Sequence, residues 1–160
     1  MRNMLLTLLA LGIFSCQDTD QAEPQLAENT FSVQRNDVKW SGVPEIRLDA
    51  ETDSLTFLGI SNAPNDEVIV MKIKFQGLGQ YTLIKNQAYY YSTVGGDVLT
   101  SKYKLAPNSI GQLVVSKYDK DKKSIEGTFD LMLKNDWSYS ENTIDTLNLT
   151  DGNFKGTIED

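Results

Sequence analysis

Histidine does not occur anywhere in this chain of 160 residues. That absence removes Ser-His-Asp and Cys-His catalysis, imidazole-ligated metals and a histidine pH switch. Cysteine occurs once, at Cys16, so neither an intrachain disulfide nor a cysteine-rich zinc site can form. Basic residues are in deficit, 15 Lys and Arg against 22 Asp and Glu, for a formal charge of −7. Nucleic acid needs a basic footprint that this balance does not supply, so no nucleic-acid partner is expected. There is no Gly-rich loop ending in Lys-Ser or Lys-Thr ahead of a helix, the signature of a phosphate-cradling loop. The remaining composition, 40% hydrophobic and 23% charged, is that of an ordinary folded domain rather than a disordered chain.

The first segment with a definite signal is N-terminal. Arg2 supplies a short positive region, and Met4 to Phe14 (MLLTLLALGIF) form an apolar run of eleven residues. A membrane-spanning helix needs about twenty, so the run matches the apolar core of a secretory signal instead. It closes on Leu11-Gly12-Ile13-Phe14-Ser15-Cys16, which resembles the signal of bacterial lipoproteins, with a small residue before a cysteine that becomes acylated. Phe14 is bulkier than the residue usual at its position. The resemblance implies removal of residues 1–15, lipid attachment at Cys16 and a membrane partner held through that anchor, since two acyl chains anchor stably where one does not. Gln17 stands where an Asp often retains such proteins at the inner membrane, and Gln17-Asp18-Thr19-Asp20 is similar to the acidic export tag of surface lipoproteins of Bacteroidota. The expected location is therefore the outer membrane, periplasmic or facing outward, with surface display favoured. Residues 16–29, acidic and nearly free of large apolar side chains after Cys16, read as a lipidated flexible tether. Residues 30–160 read as one domain, long enough for a real core.

That domain reads as all-β. Ser54 to Leu58, Val68 to Phe75 and Thr128 to Leu133 alternate apolar residues with mixed neighbours, the period of a strand with one wet face. Turn clusters separate such runs at Asn36-Asp37, Glu51 to Asp53, Asn62 to Asp66, Gly77 to Gly79, Gly95-Gly96, Pro107-Asn108 and Asp119 to Lys123. Val38 to Ile46 and Ser138 to Thr146 carry the weakest strand signal, and the second reads as a loop excursion. The expected architecture is an antiparallel sandwich, or sandwich-like half barrel, of about 8–10 strands connected mostly as hairpins.

Four segments together carry a family resemblance: Phe31 to Trp40, Gly79 to Leu83, Ile110 to Tyr118 with its answering Ser124 to Phe129, and Leu149 to Phe154. The chain resembles a family of Bacteroidota lipoproteins whose β-sandwich-like domain has no assigned function. Relatives carry Asn-Gly or Asp-Gly at the first turn; here Asp37 replaces the glycine, which Asp tolerates because it visits left-handed backbone more readily than most residues. The resemblance implies a fold and brings no catalytic residues.

No residue pattern points to catalysis. Asp119-Lys120-Asp121 and Glu126 fail the spacing of a calcium loop, which wants a glycine sixth and a carboxylate twelfth, and they read as a charged hairpin tip. The carboxylates at Asp49, Glu51, Asp53, Asp66 and Glu67 read as turn residues, where Asp and Asn cap the backbone. No enzyme activity, metal or cofactor is implied. Aromatics are the better lead. Tyr89 and Tyr91 share one strand face and Tyr90 takes the other, whereas Trp137 and Tyr139 share parity in the polar stretch Asn135 to Ser140. An exposed aromatic pair can stack on a sugar ring or anchor a protein contact, so Trp137 and Tyr139 are the candidate ligand-binding residues. The competing expectation is that Trp137 folds back to plug one end of the domain. The expected function is a non-catalytic surface lipoprotein binding a glycan or an envelope protein. Its alternatives are a lipocalin-like carrier of an apolar ligand and a small carboxylate-dependent glycoside hydrolase.

Overall fold

The structure, a computed structural model, describes residues 26–61 and 66–159. The signal at 1–15, Cys16, most of the tether and the turn Asn62 to Asn65 lie outside the described residues. Ten strands account for most of the rest: β1 (Thr30–Arg35), β2 (Val38–Asp49), β3 (Ser54–Ser61), β4 (Asp66–Lys74), β5 (Gly79–Leu83), β6 (Ala88–Val94), β7 (Val98–Leu105), β8 (Gly111–Asp119), β9 (Ser124–Ser138) and β10 (Thr146–Glu159). A single 3-10 turn, Lys85–Gln87, separates β5 from β6, and no α-helix occurs among the described residues. The all-β class and the hairpin connectivity are as the alternation and the turn clusters predict.

All ten strands belong to one sheet, and the sheet closes on itself. Antiparallel ladders run β1–β2–β3–β4–β6–β7–β9–β10, and β10 returns to β1. At its C-terminal end β10 also meets β2 directly in a short parallel pairing, Ile158 with Ile46 and Glu159 with Arg47. The layers are therefore opposite sides of one closed wall rather than two separate sheets, a form that leaves few exposed strand edges. β5 and β6 form one long arm with a break, as do β7 and β8. β6 pairs with β7 towards one end and β5 with β8 towards the other. The first hairpin turn, Asn36-Asp37, has both residues in left-handed backbone (φ 47° and 66°), the geometry that a two-residue hairpin joining twisted strands demands.

The interior is filled by rings. Tyr103, Tyr90, Trp40, Phe31 and Phe57 follow one another with centroids 5.6, 6.0, 5.1 and 6.2 Å apart, and Phe57 continues to Phe154 at 5.0 Å and Phe129 at 6.0 Å. All are buried, with Ile46, Leu55, Ile69, Met71, Leu113, Ile125, Leu133 and Leu149 around them. At the base, Phe75 packs against Tyr81 and Tyr118 and closes the space between β4, β5 and β8. The apolar side faces in and the charged, mixed side faces out, the reverse of a barrel wall that faces lipid. Among the described residues, every core residue lies between Phe31 and Ile158, so a chain that begins at Gln17 keeps all of them.

Three phenylalanines lie over cross-strand glycines: Phe31 opposite Gly42, Phe129 opposite Gly152 and Phe154 opposite Gly127. A Cβ at Gly127 would fall against the Val114 carbonyl oxygen and 2.8 Å from the Phe154 ring, and one at Gly152 would sit 2.7 Å from Phe129. The absent side chains let the wall bend tightly and let each ring cover bare backbone.

Candidate functional site

The end of the barrel where β1 turns into β2, and where β9 leaves for β10, gathers polar groups over the aromatic column. Arg35, the last residue of β1, donates from its Nη1 to Glu67 Oε1 at 2.8 Å, and Tyr90 OH donates to the same oxygen at 2.8 Å. The Arg35 guanidinium carbon lies 5.2 Å from the centroid of the Trp40 ring, a cation held over a π face. Burial pushes the Tyr90 phenol far above its ordinary value, and the neighbouring Glu67 carboxylate adds to that rise. A pocket of about 400 Å³ opens here between Arg35, Asn36, Glu67, Tyr90, Tyr103 and Ile144, among others. Two buried nitrogens near this end lack a hydrogen-bond partner, Trp40 Nε1 below the pocket and Asn135 Nδ2, whose residue stands opposite Tyr103.

Trp137 and Tyr139 sit at the same end. β9 runs through Ser138, so Trp137 lies on the strand rather than in a loop, and Tyr139 follows immediately. A register shift against β7 at Lys102/Tyr103 turns this last stretch outward, and Trp137 comes to face Lys102. Trp137 is 46% exposed and Tyr139 85% exposed, so the expectation that Trp137 plugs the barrel does not hold. Trp40, from the weakest predicted strand, fills that interior position instead. The segment beyond is pinned: Tyr139 N donates to Thr100 O at 2.9 Å, Tyr103 OH to Ile144 O at 2.8 Å, and Thr143 Oγ1 to Ser140 O at 2.7 Å. These bonds hold Tyr139 outward on an ordered backbone.

Residues that the sequence did not single out as ligands complete this wall. Tyr89 and Tyr91 face outward as their parity requires, their rings stacked 6.3 Å apart, while Tyr90 is buried. Lys102 Nζ stands 5.7 Å from the centre of the Tyr89 ring. Burial raises the Tyr91 phenol above its ordinary value, with Tyr89 and Glu45 contributing in that order. The ladders align Val43, Ile60, Val68, Tyr91, Lys102 and Trp137 in one cross-strand row over β2, β3, β4, β6, β7 and β9, in which Val68 is buried and Val43 and Trp137 are exposed. The Tyr89–Tyr91 pair was legible from its i, i+2 spacing. Its place beside Trp137 was not, because it depends on β7 pairing with a strand more than thirty residues away.

The candidate acidic loops are engaged in turn chemistry. Asp119 Oδ1 accepts the backbone N–H groups of Asp121 and Lys122, both at 3.0 Å, and Asp49 Oδ1 accepts those of Glu51 and Thr52 at 2.9 and 3.2 Å. Among the described residues, no group of three His, Cys, Asp or Glu side chains is placed to hold a metal. The half-buried carboxylate, Glu67, is occupied by Arg35 and Tyr90.

Comparison with known proteins gives one match. Residues 27–157 match a family described as a domain of unknown function, DUF6252. No curated protein and no solved structure matches the chain.

Proposed function

The chain belongs to the DUF6252 family, and from that premise we propose that it is a non-catalytic, lipid-anchored outer-membrane protein that binds glycan through the aromatic wall at one end of its barrel. The observation that carries the reading is the exposure of Trp137 and Tyr139 on pinned backbone, next to the outward Tyr89–Tyr91 pair and Lys102. Aromatic faces stack on the apolar face of a sugar ring, and the neighbouring lysine and hydroxyl groups supply hydrogen bonds to its substituents. The membrane is reached through the lipid at Cys16, in a protein of the Bacteroidota lipoprotein kind, with surface display favoured by the acidic Gln17 to Asp20. The buried aromatic column supports a binder that uses its outer wall over a lipocalin-like carrier, which needs a lined internal cavity for its guest. The engagement of Glu67 and the turn roles of Asp49 and Asp119 leave a glycoside hydrolase without a favoured carboxylate pair.

One further reading has its own support. The apolar row of exposed Val43 and half-buried Ile60 and Tyr91, beside Trp137, fits the contact face of an envelope protein. Calorimetric titration of the chain from Gln17 to Asp160 with a glycan panel separates the two. Glycan binding that is lost in Trp137→Ala and Tyr139→Ala supports the first reading. A silent panel, with crosslinking through the Val43–Ile60 face in intact cells, supports the second.

A further inference from the structure

The barrel wall has a gap on the side away from β10 and towards the base. The last pair between β4 and β6 is Met71 with Ala88, so Lys72, Ile73 and Lys74 are laddered on one side only, to β3. β5 pairs with β8 and turns its other edge to this gap. Where the wall parts, the 3-10 turn Lys85–Gln87 folds outward, with Lys85 in left-handed backbone at φ 53° and Ile84 N bonded to Gln87 Oε1 at 3.0 Å. The result is an open groove of about 810 Å³.

Its charge is opposite to that of the molecule. Lys72 and Lys74 reach it from β4 and Lys85 from the 3-10 turn, and none of the three forms an ion pair with a described carboxylate. The one acidic residue on its rim, Asp49, has its Oδ1 turned to the backbone of Glu51 and Thr52, and feels the Lys72 charge without forming an ion pair with it. The groove therefore carries a net charge of +2 in a chain whose formal charge is −7. Five of the nine other lysines of the described domain are paired with described carboxylates: Lys104 with Asp136, Lys117 with Glu126, Lys122 with Asp119, Lys134 with Asp145 and Lys155 with Glu28 and Glu126. Thr52, Ser54 and Asn86 add neutral hydrogen-bonding groups to the rim, and Ile84 offers an exposed apolar contact.

We propose that this groove binds a small soluble oligoanion, a ligand carrying two or more phosphate or carboxylate groups. The lysines stand on two separate elements facing each other across the gap, so a ligand with two anionic groups engages both sides at once. Charge-assisted contacts of this kind are the strong ones. The site does not include Trp137 or Tyr139, which stand near the other end of the barrel.

The test is an amide chemical-shift titration of the Gln17–Asp160 chain with pyrophosphate, with inorganic phosphate, and with chloride at matched ionic strength. Saturating shifts with pyrophosphate, confined to Thr52–Ser54, Lys72–Lys74 and Lys85–Gln87, are expected, with inorganic phosphate weaker. Lys72→Ala and Lys85→Ala should each weaken pyrophosphate about tenfold. Lys39→Ala/Lys120→Ala, which removes two exposed lysines elsewhere, should leave it unchanged. All these positions are exposed, so an unaltered spectrum of the free variants confirms the fold. Shifts reproduced by chloride would mean general screening and overturn the proposal. Equal affinity for the single phosphate would overturn the need for two groups. Lysine-dependent sedimentation with phosphatidylglycerol vesicles in the absence of pyrophosphate binding would reassign the groove to a lipid surface.

Discussion

Replacing Phe57 by alanine tests the claim that the barrel is built around an aromatic column. Phe57 is fully buried and sits at the branch of that column, with Phe31, Phe129 and Phe154 at centroid distances of 6.2, 6.0 and 5.0 Å. No neighbour can collapse into the space, because the rings around it come from β1, β9 and β10 and are fixed by their own ladders. Truncation of a buried phenylalanine in such a setting costs about 4 kcal/mol. For a folded unit of this size each kcal/mol lowers Tm by about 3–4 °C, so a fall of roughly 14 °C is expected. The assay is thermal and urea unfolding followed by circular dichroism, with Trp137→Ala and Tyr139→Ala alongside as outward aromatics that should each cost no more than about 0.5 kcal/mol. The void left by Phe57→Ala should also stay dry and take up a small apolar molecule such as benzene. A cost below about 1.5 kcal/mol for Phe57→Ala, or one equal to that of Trp137→Ala, would refute the filled column.

Gly127→Ala should be among the most damaging single-atom changes in the protein, since the added Cβ meets both the Val114 carbonyl and the Phe154 ring; expression of unfolded or unstable chain is the expected readout, and a Tm within a few degrees of the parent would contradict it. Glu126 is held below its ordinary pKa by its hydrogen bond from Lys117 and next by Lys155. A depressed carboxyl contributes stability that is complete above its unfolded pKa and is lost as pH falls through the folded value, so Glu126→Gln should flatten the decline in stability between about pH 5 and pH 3 while leaving the slope near neutrality unchanged. Cys16→Ser should abolish metabolic palmitate labelling and release the protein from the membrane fraction; persistent labelling would remove the basis for the proposed anchor.

Much of the fold was readable because β structure writes itself locally. The alternation at Ser54 to Leu58, Val68 to Phe75 and Thr128 to Leu133 marks β3, β4 and β9, and the turns at Asn36-Asp37, Gly95-Gly96 and Asp119 to Lys123 fall between strands. β2 was harder to read because Gly42 and Pro44 occupy inward positions where an alternating strand would show large apolar residues, and Phe31 supplies the missing bulk at Gly42 from the next strand. Closure of the sheet was out of reach, since β1 pairs with β10 across more than a hundred residues. One signal did lie in the sequence: Gly127-Thr128-Phe129 and Gly152-Asn153-Phe154 share a spacing, and each phenylalanine covers the other's glycine. The same limit governs the site. Parity alone sorted Tyr89 and Tyr91 from Tyr90. By contrast, the Arg35–Glu67–Tyr90 network and the neighbourhood of Trp137 depend on which strands adjoin.

The two tryptophans make the central claim directly measurable, because Trp40 is buried in the column and Trp137 is exposed on the wall. The decisive measurement is tryptophan emission during titration with a glycan panel, in the parent, in Trp137→Phe and in Trp40→Phe. A glycan that stacks on the wall should give a saturable change in the parent and in Trp40→Phe, and none in Trp137→Phe. A saturable change that survives in Trp137→Phe and disappears in Trp40→Phe would place the ligand inside the barrel and contradict the account.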